Sequence, residues 1–525
     1  MSDLEKTTQP KGDEEGLTLS PTPYTVFSLT KRRVLVYLLG YLSLASSLTS
    51  NIYFPLLEVL AQRYQVSIQD INLTITLFFV FQGIAPSFWS PLSDSFGRRP
   101  VYLATFAVYT AASLGLSIAD HNYVALIVLR AMQSVGGSAV LSLAYAVVSD
   151  VCIHSERGSL IAPMMAAANI GPLIGPVIGG GAALASGDPR WCFRALLIFG
   201  GSALLLIGWG MPETAKTVVG NGAVPAQGIW KTWWSLPSGQ DALRAFRRRG
   251  TTTSVEGKEG KASAVNQVEA EINVSATGRG RPMMPNPLPS LRLICYFDTF
   301  SILWLAASPY ALWYSVQTSM TPILSTNYGL DSLNIGLCFL AGGVGILAGG
   351  FIAGRLMDLN YRHVAKAAGI TTDRVRGDDM TKFPIERARS RGSISIIAVS
   401  MCVVIGYGWA VEKHAHLALL LACQLYIGCK CTTLHQIYSA LVVDIFPEKP
   451  GCAAAANNIT RCSLSAVLVA VLNPLIQAVG YGWVYTLLAF LDGLSSLIAV
   501  CMLRKWGKYW RDRRNNEESI DNTAR

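Results

Sequence analysis

Charge is scarce in this chain: 14% of its 525 residues are Asp, Glu, Lys or Arg, against about 25% in soluble domains. A deficit of that size excludes a water-solvated surface over most of the length and points to lipid as the solvent. The Gly-x-x-x-x-Gly-Lys-Ser/Thr loop that cradles nucleotide phosphates is absent, so no ATP-driven engine and no enzyme activity are expected. Eleven cysteines are present, nearly all inside apolar runs, where the oxidising, water-exposed setting that disulfides need is missing. Cys429-Lys-Cys431 has no second Cys or His pair at ligand spacing, so no metal and no cofactor are expected. The first thirty-three residues are polar with both signs of charge. A cleavable leader is short and apolar, so the first apolar run is expected to be a retained anchor.

What is present is a succession of apolar runs. A bilayer core takes about 20 apolar residues per helix, and runs at 34–57, 71–92, 101–119, 123–148, 159–184, 193–211, 293–324, 333–356, 393–412, 416–443, 452–478 and 482–503 meet that length. The expected fold is an all-α membrane protein of twelve transmembrane helices. Lys and Arg sort unevenly between the connections. The even-numbered connections and the tails hold Lys31-Arg32-Arg33, Arg98-Arg99, Arg157, ten basic residues in 212–290, eight in 357–392, Lys449 and a set from Arg504 to Arg514; the odd-numbered ones hold Arg63, Arg190 and Lys413. That asymmetry places both termini in the cytosol. The net charge of +10 is then inner-surface charge facing anionic lipid, and nucleic acid is not an expected partner.

The chain divides into a cytosolic tail 1–33, a six-helix bundle 34–211, a connector 212–290, a second bundle 291–503 and a tail 504–525. The connector is rich in Gly, Ser, Thr, Glu and Lys, and outside the Trp230–Leu236 patch has few bulky apolar residues, so much of it is expected to be disordered. The stretch Phe383-Pro-Ile-Glu-Arg-Ala-Arg389 suggests one short helix. The bundles repeat each other: Gly354-Arg-Leu-Met-Asp358 echoes Ser90-Pro-Leu-Ser-Asp94, and Val443-Asp444 echoes Val148-Ser-Asp150. Two pseudo-symmetric six-helix halves follow, with a substrate site near the midplane between them.

The densest charge between two apolar runs is Asp94-Ser-Phe-Gly97-Arg98-Arg99-Pro100. Asp94 and Arg98, four apart, share a face on a helical end, and Gly97 lets the chain bend without a Cβ penalty. Asp94, Gly97, Arg98, Arg99, Asp150, Asp358 and Asp444 are taken as a cytoplasmic gate. Ser90–Arg99 resembles the Gly-x-x-x-Asp-Arg-x-Gly-Arg-Arg signature of the major facilitator superfamily, with Ser90 in place of Gly and Ser95 in place of a basic residue. Arg130-Ala-Met-Gln133-Ser-Val-Gly136 resembles the family's Arg-x-x-Gln-Gly motif, with Ser134 in place of Gly, and that resemblance implies proton coupling at Arg130. An arginine inside a span must in any case face protein or water. Gly171-Pro-Leu-Ile-Gly175-Pro176-Val-Ile-Gly179-Gly180 matches a pattern associated with antiporters. Small residues four apart also permit close helix approach, and Pro176 bends the helix. Ser50–Pro55, Gln82–Trp89, Leu330–Gly336, Asp358–Arg362 and Asn457–Cys462 look like the fungal twelve-span drug:proton antiporters, a group that includes quinidine-resistance-type pumps and citrate exporters.

Arg130, Lys430 and Arg461 fall inside apolar runs, with His435 five residues beyond Lys430; Asp298 and Asp492 are the few carboxylates at similar depth. A cationic cavity favours an anionic substrate, and the resembling group is usually uncharged at the Lys430 position; the alternative has Lys430 off the cavity, paired with a carbonyl or a carboxylate. The expected cavity is formed by Asn51, Tyr53, Gln82, Arg130, Gln133, Tyr310, Trp313, Gln317, Lys430, His435 and Arg461. The expected function is proton-coupled export, by antiport and alternating access, of a small organic molecule such as an organic acid or secondary metabolite. It is expected from a monomer in the plasma membrane, driven by the proton gradient. Efflux of neutral or cationic drugs and uptake by proton symport are the alternatives.

Overall fold

The computed structural model describes residues 25, 27–152, 154–220, 226, 228–232, 288–367, 385–446 and 450–523. Most of the connector, residues 368–384 of the 357–392 loop and most of the N-terminal tail lie outside these residues, as do the Arg157 side chain and Lys449. No strand occurs among the described residues.

The first half comprises α1 (Leu29–Asn51), α2 (Leu57–Tyr64), α3 (Ile68–Phe96), α4 (Arg98–Ile118), α5 (Tyr123–Gly137), α6 (Val140–Val151), α7 (His154–Ser186) and α8 (Trp191–Gly210). The second comprises α9 (Phe297–Tyr328), α10 (Ser332–Ala367), α11 (Ser393–Glu412), α12 (Leu417–Ile445) and α13 (Pro450–Thr523). Ten helical stretches are long and apolar enough to cross a membrane. The last of them, Gly451–Arg514, is broken at Gly480, where φ is 82°. The 32-residue α9 has spanning length but is more polar. Its hydroxyls return to their own backbone, Ser315 to Ala311 O at 3.0 Å and Thr318 to Tyr314 O at 2.8 Å, which removes their need for water. Counting α9, and α13 as two at the Gly480 break, the described residues are compatible with twelve spanning segments.

Several expected runs are subdivided. The run 34–57 is interrupted after Asn51 because Pro55, without an N–H, sits in a 3-10 turn at Phe54–Leu56 before α2. The run 123–148 breaks between α5 and α6, after Gly136 has brought α5 onto α4: a Cβ at Gly136 would lie 2.6 Å from Tyr109 N. The α3 helix starts with a capping box, Asp70 receiving from Ser67 N at 3.0 Å and Ser67 Oγ receiving from Asp70 N at 3.1 Å. The short helix Ile385–Ser390 forms where its sequence suggests. None of the eleven cysteines forms a disulfide.

The halves are stitched at the end of the bundle opposite the termini. Thr321 of α9 donates to Phe54 O at 2.7 Å, and Gln69 of α3 donates to Ala470 O of α13 at 2.8 Å. Between α7 and α10 the backbones interlock through glycine: a Cβ at Gly336 would lie 2.6 Å from Pro176 O, and one at Gly343 2.5 Å from Leu173 Cα. At that far end Arg63 grips Asp120 through two hydrogen bonds of 3.0 and 2.9 Å, and Arg190 reaches both Asp120 at 3.2 Å and Asp188 at 2.9 Å. The Arg63 hydrogen bonds hold the Asp120 carboxyl below the usual carboxylate range. Arg63 and Arg190, two of the three cations of the odd-numbered connections, therefore tie helix ends together.

Candidate functional site

The eleven expected cavity residues fall into three groups. Tyr53, Arg130 and Gln133 lie in the core of the first half. Arg130 is 1% exposed and donates to Gln133 Oε1 at 2.9 Å and Thr49 O at 3.4 Å. Its guanidinium sits 4.5 Å from the Tyr53 ring centre and 4.7 Å from that of Phe78. Gln133 passes the chain on to Ser113 at 2.9 Å, and Thr49 to the Tyr109 hydroxyl at 2.8 Å. No carboxylate among the described residues pairs with Arg130; its charge is held by neutral dipoles and π faces, an arrangement that relaxes when any of α1, α3, α4 or α5 shifts.

A second group lies in the core of the other half and is not free to meet a substrate. Trp313 is 1% exposed and packs on Gly342 and Gly428. Gln317 accepts from Gln424 at 2.8 Å. Lys430 forms a buried ion pair with Asp492. Of the two readings of Lys430, the structure shows the one in which it pairs with a carboxylate: α12 and α13 bring a resident counterion to it. Proximity of the two in space is invisible in a sequence separation of 62 residues.

The third group stands between the halves. Gln82 donates to Ser46 at 2.8 Å, and its backbone carbonyl receives Asn458 of α13 at 2.9 Å. Asn458 Oδ1 in turn receives Arg461 at 2.7 Å. The Arg461 guanidinium lies 4.3 Å from the Tyr310 ring centre, and the His435 ring 5.3 Å from the same ring. Tyr310 and Tyr314 hydroxyls are 3.5 Å apart, and Tyr314 reaches Ser50 across the interface at 3.4 Å. Phe79 and Phe54 complete an aromatic wall on Tyr314 at 4.4 and 6.0 Å. Asn51 is adjacent, donating to Ser50 and leaving its Oδ1 without a partner. His435, Tyr310 and Arg461 are half-buried, unlike the core groups. Among the described residues no carboxylate pairs with Arg461. Asn458, Ser46 and Ser50 were not among the expected cavity residues. The Asn457-Asn458 pair, three and four residues before Arg461 and hence on its helical face, was the available signal.

The α7 glycines are contact points. Gly175 faces Asn51 and Ile52, with an added Cβ 3.2 Å from Ile52 N; Gly179 lies against Ile52 O and Gly180 against Ser332 O of α10. One helix thus packs closely on the end of α1 in its own half and on α10 in the other.

At the terminal end, Arg98 bridges Asp94 at 2.5 Å and Asp150 at 2.9 Å. Asp94 and Arg98 do not share one helical end as expected: Gly97, at φ 98°, closes α3, and Arg98 opens α4, so the pair spans the turn. Glu213, after α8, accepts the Arg98 and Arg99 backbone N–H groups at 2.8 and 3.1 Å, and a Cβ at Gly97 would lie 2.6 Å from it. Arg99 is spent on the Gly208 and Ile229 carbonyls. In the second half the echo is looser. Asp444 pairs with Arg389 at 2.9 Å, while Asp358 is exposed and meets no cation among the described residues.

A family model, the Major Facilitator Superfamily, matches residues 39–470. The chain is 34% identical over 503 residues to the MFS-type transporter phiD of a fungal species, covering 96% of this chain and 72% of that one. It is 33% identical over 537 aligned positions to Citrate exporter 1 of Aspergillus niger, covering 98% of this chain and 96% of that one. Among solved structures, a D-xylose-proton symporter superposes with a TM-score of 0.59 at 14% identity, over 90% of this chain and 97% of that one.

Proposed function

Because the chain belongs to the major facilitator superfamily, we propose that it exports a small organic acid by alternating access of a site between its halves, coupled to protons. The observation that carries the anionic reading is Arg461: a half-buried guanidinium held on Tyr310 and Asn458 between the halves, with no carboxylate partner among the described residues. A cation so placed is completed by an anion, and a guanidinium fork matches a carboxylate. The kinship to a protein named for citrate export supports the same substrate class and direction. Arg130 supports proton coupling as a buried charge balanced only by neutral groups. The α7 glycine pattern favours exchange of substrate against protons. The Lys and Arg asymmetry favours cytosolic termini.

The aromatic wall of Tyr310, Tyr314, Phe54 and Phe79 favours one alternative, efflux of apolar or cationic drugs. Proteoliposomes with an imposed pH gradient separate the two. Citrate flux should fall at least about tenfold in Arg461→Gln, equivalent to about 1.4 kcal/mol, at unchanged protein content. Unchanged carboxylate flux together with efflux of cationic drugs would overturn the organic-acid reading.

A further inference from the structure

Proton coupling requires a group that gains and loses a proton within the cycle, and Arg130 cannot be that group, because a guanidinium stays protonated at any physiological pH. Four carboxylates of the helices are engaged elsewhere, Asp492 with Lys430, Asp298 with Arg514, Asp444 with Arg389 and Asp150 with Arg98, and Asp358 is exposed at the terminal end. Among the described residues facing the inter-half site, His435 alone is of a type that ordinarily titrates near neutrality. Its Nδ1 lies 3.0 Å from Ala306 O. A carbonyl only accepts, so Nδ1 carries the hydrogen and Nε2 keeps a lone pair.

The surroundings fix the sign of the coupling. On its own helix the neighbouring titratable groups are Cys431, Tyr438 and the neutralised Lys430. From α9 come Tyr310 and Tyr314, and from α13 come Arg461, Cys462 and Asn458. The middle of α10, which packs on α12 at Gly345 and Gly349, carries no charge between Asp331 and Arg355. From the first half, α1 and α3 bring Ser46, Ser50 and Gln82. Arg461 is therefore the one charge sharing the Tyr310 ring with His435. A carboxylate held by Arg461 favours a proton on His435, and by reciprocity that proton strengthens carboxylate binding by the same factor.

We infer that His435 takes up a proton at Nε2 during transport, and that this proton binds together with a carboxylate at Arg461 instead of in exchange for it. The inference rests on the organic-acid reading and reverses the exchange favoured by the α7 pattern, whose glycines act in this structure as backbone contacts. A multivalent acid leaving with one proton still carries negative charge, so an interior-negative membrane potential drives its exit.

The test is equilibrium binding of citrate, succinate and benzoate to the purified full-length protein between pH 5 and 8, in wild type, His435→Gln and His435→Asn. Each acid's own titration is common to all three proteins, so the difference between them isolates His435. Wild-type affinity should rise on acidification more than that of either variant, by about 5- to 150-fold, with the variants of unchanged thermal midpoint. Histidine-labelled protein should show an imidazole resonance, absent in the variants, that shifts toward the protonated form when citrate is added. Binding to none of the three acids at any pH overturns the organic-acid reading. Binding with the same pH dependence in wild type and both variants, or an imidazole resonance unmoved by a bound acid, overturns the assignment of His435 alone.

Discussion

Neutralising either member of the Lys430–Asp492 pair should damage the protein far more than neutralising both. The two residues are 2% and 5% exposed, joined Nζ to Oδ2, and Asp492 Oδ1 has no other partner. In Lys430→Gln the carboxylate stays at this depth without a cation; in Asp492→Asn the ammonium does. Breaking one side of a buried pair typically costs about 3–5 kcal/mol, whereas removing both charges is often close to neutral. The double variant replaces two ions with two amides able to hydrogen-bond each other beside a cavity of about 20 Å³, room for one water. Its loss should be about 1 kcal/mol, smaller than that of either single variant. Denaturant titration of the purified protein in detergent reads these values, and abundance in the membrane reads their consequence. Citrate flux should survive in the double variant, since the pair lies in the core of one half. A double variant as unstable as the two single losses summed would refute the pairing argument, and loss of flux in a stable double variant would return Lys430 to the substrate site.

At the terminal end, Asp150→Asn should slow turnover more than Asp94→Asn, with substrate affinity little changed in both, because the Asp150 side chain is 10% exposed and the Asp94 side chain 64%; an exposed pair is worth at most about 1 kcal/mol. Stopped-flow or single-turnover flux checks the order, and a large affinity loss would contradict a role in biasing states. Gly336→Ala forces a Cβ to 2.6 Å from Pro176 O and should lose about 1–3 kcal/mol by overpacking. Gly354→Ala, with open space around it, should be neutral or gain up to about 1 kcal/mol; equal abundance of the two variants would be the contrary result. Arg130→Lys keeps the charge but loses the planar guanidinium that lies over the Tyr53 and Phe78 rings. It should abolish gradient-driven flux in proteoliposomes while leaving the protein in the membrane.

Length, spacing and small-residue patterns are local properties, and the sequence carried them. Apolar runs specify helices because in lipid every backbone group must be satisfied within its own segment, so the helices were legible, although α10 and α13 run on to Ala367 and Thr523, beyond the apolar runs that end at 356 and 503. The Gly97 turn was legible because only a residue without a Cβ sits easily at φ 98° with a carboxylate against it. Charge in the membrane was not legible in the same way. Lys430 and Arg461 look alike in sequence, each a cation inside an apolar run. Folding gives one a carboxylate from a helix 62 residues away and leaves the other on a tyrosine ring between the halves. Whether a buried charge is compensated depends on which helix faces overlap, a relation between distant segments that no local pattern encodes. The tertiary structure alone therefore decided that Arg461 and His435, and not Lys430, stand at the interface between the halves.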